Sequence, residues 1–72
     1  MNIYLLYYGN IIKHVFLKEK DAYETVNMYN SSGGNGCYRI KEYEITDIEE
    51  LLKEPKFEKR YKKAIMNKLV GD

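Results

Sequence analysis

The chain has one cysteine, one histidine, one proline and no tryptophan. A lone cysteine rules out an internal disulfide, and Cys37 together with His14 falls short of a Cys/His zinc set. No apolar run comes near the roughly 20 residues of a membrane-spanning helix. The stretch IYLLYYG is short, rich in tyrosine and has no basic region before it, so the expectation is a cytoplasmic chain without a signal peptide or membrane contact. The calcium-loop pattern D-x-[DN]-x-[DN]-G and the nucleotide-loop pattern ending in G-K-[ST] are both missing. These absences leave no motif for a metal or a cofactor, and none is expected.

What remains is a chain of 72 residues, 44% hydrophobic and 32% charged, which is too apolar for disorder and too short for two cores. A single domain over 1–72 is expected, with a ββαβ core at 1–45 and a helical segment at 46–72. The runs from Ile3 to Tyr8 and from Ile11 to Phe16 flank Gly9-Asn10 and predict a hairpin. Ile3, Leu5 and Tyr7 alternate with Tyr4, Leu6 and Tyr8, so both faces of the first strand need covering. In the second strand His14 alternates with Ile12 and Phe16. KEKDAYETVNMYN places Ala22, Val26 and Tyr29 on one helical stripe and turns Met28 outward.

CYRIKEYEI alternates Tyr38 and Ile40 with Arg39 and Lys41 as a third strand. Thr46 and Glu49 form a capping-box pattern for a short helix starting at Asp47. Pro55 stops that helix or restarts the chain. Phe57, Tyr61, Ala64, Ile65 and Leu69 then line a last helix that ends at Gly71, with Lys68 inside the apolar stripe and obliged to reach out to water. The fold class is α+β: a three-stranded antiparallel sheet in the order β-β-α-β-α-α, with a basic amphipathic C-terminal helix. The first helix would cover one face of the sheet. The last helix would cover the other face or pack against a second copy, and a homodimer is expected on that ground.

YNSSGGNGCYRI carries three glycines within four positions. Phosphate-cradling loops run from a strand into a helix, so that free amides and the positive end of the helix meet the anion. Here the order is reversed. The loop leaves the negative end of a helix and enters a strand, which makes it a bend that needs left-handed backbone.

His14 has no sequence-local acid or thiol to work with and reads as structural. Cys37 reads as a small, half-buried apolar residue, and no catalytic residue is assigned. The net charge of +1 conceals a division: residues 56–72 carry six basic and two acidic side chains, whereas Glu42 to Glu54 hold six acids against Lys53 alone. Lys56, Lys59, Arg60 and Lys63 cluster away from Phe57, Tyr61 and Ile65, a face suited to phosphate or to an acidic protein. Eight tyrosines are more than so small a core requires, and tyrosine favours protein interfaces because it buries much area with few rotors. The expected partner-binding residues are Tyr4, Tyr8, Tyr38, Tyr43, Lys56, Lys59, Arg60 and Lys63.

The pattern IYLLYY…VFLKEKDAYETVN…YRIKEYEI, over residues 3–45, resembles a class of small bacterial and phage proteins. They share an apolar hairpin, a VF-x-x-x-x-x-A helix entry and a Y-x-I-x-E-Y-x-I closing strand. The resemblance implies no catalytic residue. The tyrosine excess and the lack of a catalytic constellation lead to the expectation of a non-enzymatic protein-binding module, and likeness to compact phage proteins implies one that binds and inhibits a host protein of replication, transcription or defence. The alternative is nucleic-acid binding through the basic helix.

Overall fold

The computed structural model describes residues 2–34 and 36–71. The run that is apolar on both faces becomes the middle strand: β1, Asn2–Tyr8, lies between β2, Ile11–Phe16, and β3, Tyr38–Glu44, in an antiparallel sheet of order β2-β1-β3. Only a central strand can bury both of its faces while pairing its backbone on both sides. Ile3, Tyr4, Leu5 and Leu6 are accordingly buried in succession. At about 1.5–3 kcal/mol for each large apolar side chain, this run supplies much of the drive to fold.

Among the described residues three α-helices pack on this sheet: α1 at Glu19–Tyr29, α2 at Ile45–Leu52 and α3 at Lys59–Leu69. α1 covers the Tyr4/Leu6 face, burying Ala22 and Val26, and the Tyr4 hydroxyl donates to Glu19 at 3.5 Å. On the opposite face Ile3 and Leu5 pack with Ile12, Val15, Ile48, Tyr61 and Ile65, so α2 and α3 together close that side. The face for which a second copy was expected is therefore covered from within the chain, and the argument for a homodimer loses its ground. Met28 points outward, as the helical stripe predicts.

The second strand departs from strict alternation. Leu6 stands opposite His14 and Tyr7 opposite Ile12, so Lys13 is an extra residue and β2 is bulged there. Opposed residues share a face. Ile12 and Val15, three apart in sequence, thus both reach the α2/α3 core, while His14 and Phe16 turn to the α1 side. The expected grouping of Ile12 with His14 is wrong for this reason.

The capping box is not formed either. β3 runs directly into α2, which begins at Ile45 after an extended Glu44, with no side-chain cap. Ile45 packs on the core, which places Thr46 inside the first turn rather than before it. Pro55 lies between α2 and α3 in neither helix, and the chain leaves α3 through Gly71 at φ +80°, a left-handed conformation that glycine adopts without a Cβ penalty.

If α3 is an integral part of the core, Ile65→Ala should lower unfolding free energy by about 2–4 kcal/mol in urea titrations. Met66→Ala, one position along on the exposed side, should change it by less than about 0.5 kcal/mol. Equal losses would contradict the packing described.

Candidate functional site

The expected tyrosine surface is divided between the two sides of the sheet. Tyr4 is only 6% exposed and belongs to the core under α1, so it is withdrawn as a surface residue. Burial, with the carboxylates of Glu42 and Glu19 nearby, raises the pKa of its phenol. Tyr8 and Tyr38 lie opposite each other on the α1 side, ring centroids 4.8 Å apart, and Tyr29 meets Tyr38 edge-on at 5.0 Å. Tyr43 is on the other side, where its hydroxyl lies 3.3 Å from that of Tyr7.

Cations lie over these second-side rings, with Arg39 4.9 Å from the centre of Tyr7 and Lys41 5.1 Å from that of Tyr43. Partial burial, with the hydrogen bond it shares with Tyr43, pushes the Tyr7 phenol far up, against the opposing pull of Arg39.

The glycine-rich segment is a wide turn at Asn30–Gly34, with Gly33 at φ +109°. It is held by Asn30, whose Nδ2 donates to the Tyr38 carbonyl and whose Oδ1 accepts from the Tyr38 amide, each at 3.1 Å. The side chain thus imitates a neighbouring strand. Among the described residues the loop leads into β3 and not into a helix, so no helix N-terminus faces it. Tyr8, Tyr29, Tyr38, Ser32 and Gly33 surround a cavity of about 280 Å³ beside it. His14 Nε2 lies 3.0 Å from the Tyr29 hydroxyl and serves this aromatic row. Cys37 is exposed, contrary to the half-buried place expected for it, because it precedes β3 and has no face of the sheet to join.

Lys56, Lys59, Arg60 and Lys63 are all exposed, Lys56 in the turn before α3 and the others on the helix itself. Arg60 is already engaged: it lies 4.8 Å over the Tyr61 ring, donates to the Tyr61 hydroxyl at 3.0 Å and meets Glu58 at 3.4 Å. Among the described residues, Lys56, Lys59 and Lys63 form no ion pair.

A second cavity, also about 280 Å³, is lined by residues 12–16 of β2 and by Tyr61, Ala64 and Lys68 of α3. Residues 12–16 include side chains of both faces of the sheet, so a cavity touching all of them borders the strand's free edge. A further cavity of about 200 Å³ shares Phe16 and Lys68 with it and continues past Leu17, Lys18 and Asp21. The two adjoin at Phe16 and Lys68, and we treat them as one trough, lined by apolar side chains together with Lys13, Lys18, Lys68 and Asp21. Sequence reasoning had only one signal for it, the lysine placed inside the apolar stripe of α3.

Three strands and three helices in the order β-β-α-β-α-α define a small α+β protein. No family model, curated protein or solved structure matches the chain. Among the described residues no three His, Cys, Asp or Glu side chains group to hold a metal ion, and no helix is long and apolar enough to cross a membrane.

Two outcomes follow from this geometry. Asn30→Ala removes both bonds to Tyr38 and should cost about 1–3 kcal/mol, with Asn30→Asp recovering less than half because it cannot donate. Amide exchange at Tyr38 should accelerate in the same variants. Since the folded pKa of Tyr7 is raised, its contribution is complete below the unfolded value near 10 and declines as pH climbs above it. The decline should be at most about 1.4 kcal/mol per pH unit. Tyr7→Phe should flatten this alkaline loss in urea midpoints compared between pH 8 and pH 11, and an unchanged slope would assign it elsewhere.

Proposed function

We propose that this protein is a non-enzymatic protein-binding module that receives an acidic, apolar-bearing surface of a partner between β2 and α3. The observation that carries this reading is the trough itself. Its floor combines Ile12 and Val15 with Phe16 and Ala64, while its ionic rim has three lysines and one aspartate. Leu17 and Val70 add exposed apolar surface at 39% and 75%. A concave apolar lining with a predominantly basic rim suits a desolvated centre and a steering periphery.

The resemblance to small phage proteins supports a further step, that the partner is a host protein and that occupying its surface inhibits it. The absence of an assigned nucleophile–base pair in the sequence supports a binding role, and the His14 ring nitrogen has Tyr29 as its partner rather than Cys37.

Nucleic-acid binding is the weaker reading. It gains one observation, since Arg39 and Lys41 interleave with Tyr7 and Tyr43 on one face. Those cations already occupy the ring faces on which bases would stack, and the rings pack against the core.

In a gel shift at low salt the protein should retard neither duplex nor single-stranded DNA. Tagged protein should retain a specific partner from a host lysate, and Lys56→Glu/Lys59→Glu/Lys63→Glu should slow that association several-fold with little effect on dissociation. Arg60 is left in place because it packs over Tyr61. Tight DNA binding that weakens with salt, at a log-log slope near −0.9 per phosphate, would overturn the proposal.

A further inference from the structure

The geometry points to the occupant's form: an extended acidic segment of the partner that adds to the free edge of β2 as a fourth strand. This rests on the protein-binding reading and deepens it. β2 is an edge strand in the order β2-β1-β3, and the trough follows its outer side across residues 12–16. An occupant there would meet unpaired backbone amides and carbonyls, the groups through which strand addition gains affinity, and would set alternate side chains against the apolar floor. Ala64 is the smallest residue on the α3 wall and leaves room for a backbone to approach.

Charge selects among occupants. Proteins guard exposed edges with lysines and bulges, and both devices coincide here at Lys13. They leave His14 to Leu17 as the half of the edge open to pairing. A second copy brought to the same edge would face Lys13, Lys18 and Lys68 with its own lysines. An acidic strand would pair with them instead, so the guard rejects a β2-to-β2 pair and admits the complementary chain.

The test uses a fluorescein-labelled nine-residue peptide of alternating valine and glutamate, capped at both ends, with a valine–lysine peptide as control. Anisotropy should show saturable binding of the first and none of the second, and amide exchange at residues 14–17 should slow at saturation. Two further peptides carry N-methyl groups on all valine or on all glutamate amides. A strand added to an edge presents only one of these sets to β2, so one methylated peptide should bind like the parent and the other at least tenfold more weakly. Lys13→Glu/Lys68→Glu, both at exposed positions, should weaken the parent at least tenfold with an unchanged melting curve. Equal affinities for the two methylated peptides, or no binding of the parent, would overturn strand addition. Exchange protection at residues 14–17 that grows with protein concentration alone would overturn it in favour of a second copy. If a captured partner protects α3 but not β2, strand addition fails and the protein-binding reading stands. Tight DNA binding removes the reading beneath both.

Discussion

The fold depends on burying β1 on both faces. A chain this small cannot spread its apolar residues over separate cores, and Ile3 to Leu6 concentrate them in one strand whose side chains point both ways. Once that strand is central, every other element has an assigned place. β2 and β3 must pair its two edges, α1 must cover one face, and the remaining helices must cover the other. The direct passage of β3 into α2 brings Ile45 and Ile48 to the second face without a connecting loop. α3 then closes the side nearer β2 with Tyr61 and Ile65.

This arrangement leaves two strand edges of different character. β3 presents Arg39, Lys41, Glu42 and Glu44 along an unbulged edge. Two such edges paired about a twofold axis would set Lys41 against Lys41, Glu42 against Glu42, or Arg39 against Lys41, depending on register, and like charges directly opposed are unfavourable. The β2 edge carries no acid, is bulged at Lys13 and borders an apolar trough. The sheet order also separates charge. Glu42 and Glu44 lie on the β3 edge, where Arg39 and Lys41 balance them, whereas the β2 edge has Lys13 and no acid, so the two edges differ in charge. A partner approaching in solution meets two different surfaces, and a modest field can choose its orientation.

Most of the architecture is legible in the sequence because it rests on local pattern. Runs of six strand-forming residues on each side of Gly9-Asn10 specify the hairpin, the spacing of Ala22 and Val26 specifies the covered side of α1, and Gly33 and Gly71 mark left-handed turns that other residues adopt reluctantly. The misreadings share a cause. Ile12 and Val15 have opposite parity in a regular strand, and only a bulge reconciles them with one core. Thr46 satisfies the pattern of a cap, but packing of Ile45 draws the helix start forward past it. Tyr4 and Tyr8 are alike by composition and alternation, yet α1 covers one and leaves the other at the open end of the sheet.

The site was far less legible. The basic character of residues 56–72 and the tyrosine excess are facts of the chain, and they direct attention to a charged, aromatic surface. Which cations and rings share that surface depends on contacts between residues distant in sequence. Lys13 and Lys68, more than fifty positions apart, border one cavity. Tyr8 and Tyr43 end on opposite sides of the sheet, and Arg60 is drawn down onto Tyr61. The sequence by itself determined the elements, the doubly apolar first strand and the uneven distribution of charge along the chain, because periodicity and turn chemistry act over a few residues. Only the tertiary structure decided that β2 is an edge, that its bulge admits Ile12 and Val15 to one core, and that α3 lines a cavity beside it. Strand order and helix placement are set by the sum of many long-range packing contacts, and no short stretch of the chain encodes that sum.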